Sequence, residues 1–276
     1  MSSHHTEKSD PRQLRAKRIR TLSTRGDRGD EYSGKFLVYK QRGETLASLI
    51  KRFRSSKELS LDIPITYAGR LDPMAEGIVL LLVGEDRHNK DALLGLAKTY
   101  EIEVLFGIAT DTEDALGLIT NEQYQTLDEG LIAGALSRAP KLTELPYPAY
   151  SSAIVEGKPL FVHAREGSAV SIPMKKITIT EAKLLHIRTV PLEIIAREAI
   201  DDIGKVEGDF RQLAIMKEWR SRIETHHDTL VTIATIRISA SSGTYMRSIA
   251  RWIGEQLGVP ALAYKIKRTK LGEWTL

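Results

Sequence analysis

An unbroken apolar run, Ile78-Val79-Leu80-Leu81-Leu82-Val83, predicts a strand buried on both faces, although a buried helical segment would show the same pattern. Residues 35–40 and 98–106 predict two more strands. In the second, Tyr100, Ile102, Val104 and Phe106 alternate with their neighbours, which puts Tyr100 on the buried face. Helical spacing instead governs Leu46, Leu49, Ile50 and Phe53, with Thr45 as N-cap and Lys51, Arg52 and Arg54 outward. Further helices are expected over 86–96, over 129–138 with Asp128 as cap, and over 245–257. The last of these turns Ile249, Trp252, Ile253 and Leu257 inward and stops at Gly258 and Pro260. After an extended Pro146-Tyr147-Pro148, residues 152–166 read as strand, turn at Glu156-Gly157 and short helix. Strands are also expected over 177–187 and 229–238, with two short ones over 261–276. Between 199 and 228 the residues Phe210, Leu213, Met216, Trp219 and Ile223 predict a charged helix with one apolar side, read as an inserted helical arm. Strands come in runs and not in strict alternation with helices. The expected fold class is therefore α+β, a mixed, mostly antiparallel β-sheet flanked by helices.

Charge adds a second region to this picture. The chain of 276 residues carries a formal net charge of +4, but Lys8, Arg12, Arg15, Lys17, Arg18, Arg20, Arg25 and Arg28 face only Asp10 and Asp27 between positions 8 and 28. Residues 1–33 are thus expected to be a basic, disordered arm able to bind a polyanion by releasing counterions, and 34–276 a single domain. No apolar run approaches the roughly 18 residues needed to cross a bilayer, and there is no secretory signal. The chain has no cysteine, which removes disulfide, thiolate and sulfur-ligated zinc chemistry and agrees with a reducing cytoplasm. His4-His5 and His226-His227 are adjacent pairs that do not share a face, so no metal is expected. A glycine-rich dinucleotide or phosphate loop is also missing.

Chemistry concentrates in four places. Gly69-Arg70-Leu71-Asp72-Pro73-Met74-Ala75-Glu76-Gly77 sets a carboxylate before a proline that forces extended backbone on Asp72, although a solvated Asp-Pro turn would read alike. Tyr100 would ordinarily be a core aromatic, and Arg247 an exposed or ion-paired side chain at a helix start. The acidic turn Asp111-Thr112-Glu113-Asp114 could hold a divalent cation or simply be a turn.

Taken in order, these stretches resemble the TruB family of tRNA pseudouridine synthases across nearly the whole span expected to be ordered. Gly69–Gly77 resembles that family's catalytic motif, Lys98-Thr99-Tyr100 its lysine-threonine-tyrosine strand, and 110–117 its acidic turn. Tyr150-Ser151-Ser152-Ala153, Gly157-Lys158-Pro159-Leu160 and Ala164-Arg165-Glu166-Gly167 are similar to its substrate-side hairpin and helix. Ser242-Gly243-Thr244-Tyr245-Met246-Arg247 resembles its late arginine motif, and Arg268-Thr269-Lys270-Leu271-Gly272 its closing strand.

The resemblance implies isomerisation of uridine to pseudouridine in tRNA, at the T-loop uridine (tRNA position 55), on a pseudouridine synthase fold and without cofactor. It implies Asp72 as the catalytic carboxylate, Arg247 as its fixed cation and Tyr100 as the aromatic against the extruded uracil. Asp114 would orient the assembly, and Tyr67, Arg70, Lys98 and Lys158 would serve substrate binding. Many bacterial members read roughly Gly-His-Thr-Gly-Thr-Leu-Asp-Pro around the motif, where this chain has Tyr67 and Arg70; Tyr67 would then stack on the RNA loop in place of the histidine. The resemblance ends at Leu276, so a catalytic domain without the C-terminal RNA-binding PUA domain is expected, with the T-arm of tRNA as partner and a monomer without an obligate protein partner. Three alternatives stand beside it: an RNA-binding or tRNA-folding protein without chemistry, a synthase for another RNA site, and a metal-dependent nuclease using Asp72, Asp111, Glu113 and Asp114.

Overall fold

A computed structural model describes residues 17–19 and 33–276. In chain order the elements begin with strands β1 (Lys17–Ile19) and β2 (Gly34–Lys40), helix α1 (Leu46–Ser56), and strands β3 (Ile65–Ala68) and β4 (Ala75–Val83). Helix α2 (Lys90–Leu94) leads to β5 (Lys98–Phe106), then the hairpin β6 (Ile108–Thr110) and β7 (Ile119–Glu122), and helix α3 (Glu129–Leu136). Short strands β8 (Glu144–Pro146), β9 (Ile154–Val155) and β10 (Lys158–Pro159) precede helix α4 (Leu160–Glu166) and β11 (Met174–Lys176). The remainder is β12 (Ile179–Pro191), α5 (Leu192–Gly204), α6 (Gln212–Thr225), β13 (Leu230–Ala240), α7 (Met246–Leu257), β14 (Ala261–Leu271) and β15 (Trp274–Thr275). Of the arm expected over 1–33, only β1 and Ser33 fall among the described residues; β1 pairs antiparallel with β2.

The main sheet runs β1-β2-β4-β14-β5-β13-β12, with β3 on β4 and β15 on β14. Its pairs are antiparallel except β4 with β14, so the sheet is mixed and mostly antiparallel, as expected. The 78–83 run is buried on both faces. Val79, Leu81 and Val83 join the main core with Ile102, Val104, Phe106 and Ile236, whereas Ile78, Leu80 and Leu82 join a smaller cluster with Leu271. Helices α1, α3 and α7 cover the main core with Leu49 and Phe53, Ile132, and Ile249 and Ile253; each such side chain contributes roughly 2 kcal/mol of apolar burial. Thr45 Oγ1 caps α1 by accepting from Ser48 N, and Asp128 caps α3 through Leu131 N.

Three expectations change. The helix over 86–96 is a 3-10 turn, Gly84–Asn89, followed by the five-residue α2; no side chain caps its start, and too few apolar residues share a face to carry a longer helix. The two short strands over 261–276 are one long central strand and a two-residue partner, because β-bulges between Ala263 and Lys265 and between Arg268 and Lys270 interrupt the two-residue period that marks a strand. The segment 199–228 comprises the second half of α5, a connector and α6. Both helices pack through Ile195, Ala199, Ile203, Ile215 and Trp219 against Leu105, Ile233, Leu262 and Tyr264, forming a second core.

Candidate active site

Asp72 lies in the turn between β3 and β4, where Ala75 N donates to Asp72 O at 3.0 Å. Two buried cations hold this turn by its carbonyls. Lys40 Nζ donates to Ala75 O at 2.6 Å, Pro73 O at 3.1 Å and Gln41 O at 3.1 Å. Arg268 Nε donates to Ile78 O at 2.7 Å and its Nη1 to Arg70 O at 3.1 Å. Burial pulls the Lys40 ammonium down to about 7, against the nearby carboxylates of Glu44 and Asp72. Gly77 adopts φ +118°, and a Cβ there would lie 2.3 Å from Arg268 O. Only glycine lets β14 come this close beneath the turn.

Arg247, in the first turn of α7, reaches Asp72 from 175 positions away: its Nε donates to Asp72 Oδ2 at 2.9 Å. The arginine side chain is 4% exposed and the aspartate 37%, so a solvent-facing carboxylate rests on a buried, fixed cation. The guanidinium fork is oriented by two carbonyls, Nη1 donating to Thr112 O at 2.8 Å and Nη2 to Tyr150 O at 3.2 Å. Burial alone would lower the Arg247 pKa, but Asp72, Asp114 and Glu113 more than offset this and raise it. Asp114 Oδ2 stands 3.8 Å from Arg247 Nε, and its Oδ1 accepts from Thr112 Oγ1 at 2.7 Å and Leu116 N at 2.9 Å. Burial pushes Asp114 up to about 6 despite the pull of Arg247. Glu113, at φ 64°, accepts from Ser248 Oγ at 3.0 Å and Arg251 Nε at 2.8 Å, which pins the acidic turn to the helix carrying Arg247.

Direct contacts therefore join Asp72, Arg247 and Asp114. Tyr100 is buried in the main core together with Leu71 and Met246, the residues just before Asp72 and Arg247, and its Cα partner on β14 is Arg268. Arg70 is exposed, and its charge acts on Tyr245. Tyr67 is partly buried on β3, with Lys90 Nζ 5.8 Å from its ring centroid. Lys98 Nζ donates to Leu96 O at 2.5 Å, Leu94 O at 3.1 Å and Ser242 Oγ at 3.2 Å, ties that brace the Ser242-Gly243 turn leading to Arg247; burial lowers it to about 8. Lys158 is exposed and pairs with Glu166 at 3.2 Å on the β10–α4 unit, apart from these contacts.

Each acid weighed for a nuclease lies against an arginine. Asp111 meets Arg211, Glu113 meets Arg251, and Asp72 and Asp114 meet Arg247; among the described residues no group of histidines and acids is placed to hold a metal ion.

Sequence reasoning passed over Lys40, Arg268 and Tyr245. Arg268 and Tyr245 stood inside quoted motifs without a role. Lys40 carried no signal beyond closing a strand. Burial and then the Asp72 charge raise the Tyr245 hydroxyl pKa, and its ring meets Tyr147 edge-on at 5.7 Å between centroids. The arrangement offers an accessible carboxylate, a permanent counter-cation and aromatic surface, suited to a planar, uncharged base.

Comparison with known proteins places the chain among sequence relatives. Residues 59–199 match the model of the TruB family pseudouridylate synthase (N terminal domain). A tRNA pseudouridine synthase B of Bacillus thuringiensis is 30% identical over 245 residues, covering 88% of this chain and 67% of that protein. One of Cupriavidus metallidurans is 30% identical over 210 residues, covering 76% and 54%, so the chain spans little more than half of that relative. Among solved structures, an archaeal box H/ACA sRNP Nop10–Cbf5 complex shares the fold with a TM-score of 0.51 at 14% identity, over 89% of this chain and 49% of the other. No helix among the described residues is long and apolar enough to cross a membrane. With the family model covering half of its length, the chain belongs to the TruB family of pseudouridylate synthases.

Proposed function

We propose that this protein converts uridine to pseudouridine in tRNA, at the T-loop uridine of the T-arm, with Asp72 as the catalytic carboxylate and no cofactor. The observation that carries this reading is the 2.9 Å contact between the solvent-facing Asp72 and the buried Arg247. The reaction breaks the bond from uracil N1 to the ribose C1′, turns the base and joins C5 to C1′. The hydrogen on C5 leaves to solvent and N1 takes up a proton, so redox state is unchanged. A uridine within folded RNA is first flipped out, at a cost of a few kcal/mol of stacking, and the rings of Tyr100 and Tyr245 offer replacement surface. Asp72 then acts on the flipped nucleotide as nucleophile or base, while Arg247 balances its charge throughout. Tyr67 and Arg70 receive the RNA loop, Asp114 steadies Arg247, Lys98 holds the arginine turn, and Lys158 extends the RNA-facing surface.

Release of tritium from tRNA labelled at uridine C5 tests the proposal. Wild type is expected to release it and Asp72→Asn to be slower by about 100-fold or more, with tRNA affinity retained. Binding without release by wild type would mark an RNA-binding protein without chemistry.

A further inference from the structure

Helix α6 does not touch Asp72, yet it is fastened along the hairpin that carries Asp114. Trp219 Nε1 donates to Ala115 O at 3.3 Å, Glu218 Oε2 accepts from Ile119 N at 2.6 Å, and Arg222 Nε donates to Glu122 Oε1 at 2.6 Å. At the head of the helix stands Arg211, with φ 63°. This conformation is unfavourable for a residue with a Cβ and persists where the surroundings hold it. Its Nη1 and Nη2 donate to the two Asp111 oxygens at 2.7 and 3.1 Å, and its guanidinium carbon lies 4.6 Å from the Tyr150 ring centroid.

Both contacts lead to Arg247. Thr112, beside Asp111, supplies the carbonyl for Arg247 Nη1 and the hydroxyl for Asp114; Tyr150 supplies the carbonyl for Nη2. The two acceptors that aim the Arg247 fork thus belong to two separate segments, and Arg211 clamps those segments together. We infer that Arg211 is a positioning residue for Arg247, acting through Asp111 and Tyr150, an inference that rests on reading Asp72 and Arg247 as the reactive pair. A lysine could supply charge to Asp111 but neither the two-nitrogen fork nor the flat face against Tyr150.

The test compares wild type with Arg211→Ala, Arg211→Lys and Arg222→Ala, using two readouts: hydrogen exchange of the Arg247 Nε–H by NMR, and the kinetics of pseudouridine formation in tRNA. In Arg211→Ala the Nε–H is expected to exchange about 10-fold faster or more, and kcat to fall about 10- to 100-fold while KM stays within about 2-fold. Arg211→Lys falls between, and it decides the matter if the alanine variant does not fold. Arg222→Ala, which frees only the far end of α6, stays near wild type in both readouts. Unchanged Arg247 exchange in the Arg211 variants, or an Arg222→Ala indistinguishable from Arg211→Ala, overturns the inference. Absence of pseudouridine with wild type counts against the proposed activity instead, and the exchange measurement still decides whether Arg211 positions Arg247.

Discussion

Asp114 shows how one side chain's setting becomes measurable. Burial raises it to about 6, above the ordinary aspartate value of about 3.9, so between these values the native state holds a proton that the unfolded chain has lost. Its contribution to stability is fully present below the unfolded value and is lost as pH rises through about 6. Asp114→Asn, which cannot ionise but can still accept from Thr112 and Leu116, should gain on wild type by about 2 kcal/mol between about pH 4 and pH 7. Urea unfolding at the two pH values measures this, and a constant gap would mean that Asp114 does not titrate in that window. Of these side chains, Asp72, Tyr100, Arg247 and Asp114 stood out in the sequence only through the resemblance of their motifs to the TruB family, since taken singly each has an ordinary structural reading. Lys40 and Arg268 did not, since their role is to satisfy carbonyls of a turn distant in sequence, and nothing local records that.

Secondary-structure elements were legible where their pattern is local. The Thr45 and Asp128 caps, the alternation in β5 and the Gly258 stop after α7 depend on neighbours within a turn or two, and each stands where the pattern puts it. The length of β14 was not legible, because its two bulges break the period and its basic residues are met by other elements: Lys265 pairs with Glu198, and Arg268 donates to main-chain carbonyls. Its contact with β4 makes Gly77 a sharp test. Gly77→Ala meets both a positive φ and the Arg268 backbone, so a loss of about 3 kcal/mol or more is expected. An unchanged urea midpoint would contradict the close approach of these two strands.

For the molecule as a whole, affinity for RNA is expected to draw on the basic residues between positions 8 and 28 as well as on the site. Deleting residues 1–30 should weaken tRNA binding and make the dependence of log affinity on log salt shallower, while kcat at saturating tRNA changes little. An unchanged salt slope would remove the arm from the account of binding. The α5–α6 pair belongs to the folded core. Its core residues join it to the sheet, and Arg211 joins it to the acidic turn, so its removal is expected to disturb both stability and the alignment of Arg247.

The chain's own order of residues was enough to specify β2, β4, β5 and β13, the Thr45 and Asp128 caps, the Gly258 stop and the succession of motifs that marks the family, because these rest on short-range sterics, hydrogen bonding and periodicity. The assembly of the site needed the fold. Asp72 and Arg247 are 175 positions apart, and they meet because sheet order sets β14 between β4 and β5 while the acidic turn holds α7 by Ser248 and Arg251. Pairing over such separations depends on sheet register and on which buried charges can be compensated, and neither leaves a local pattern to read.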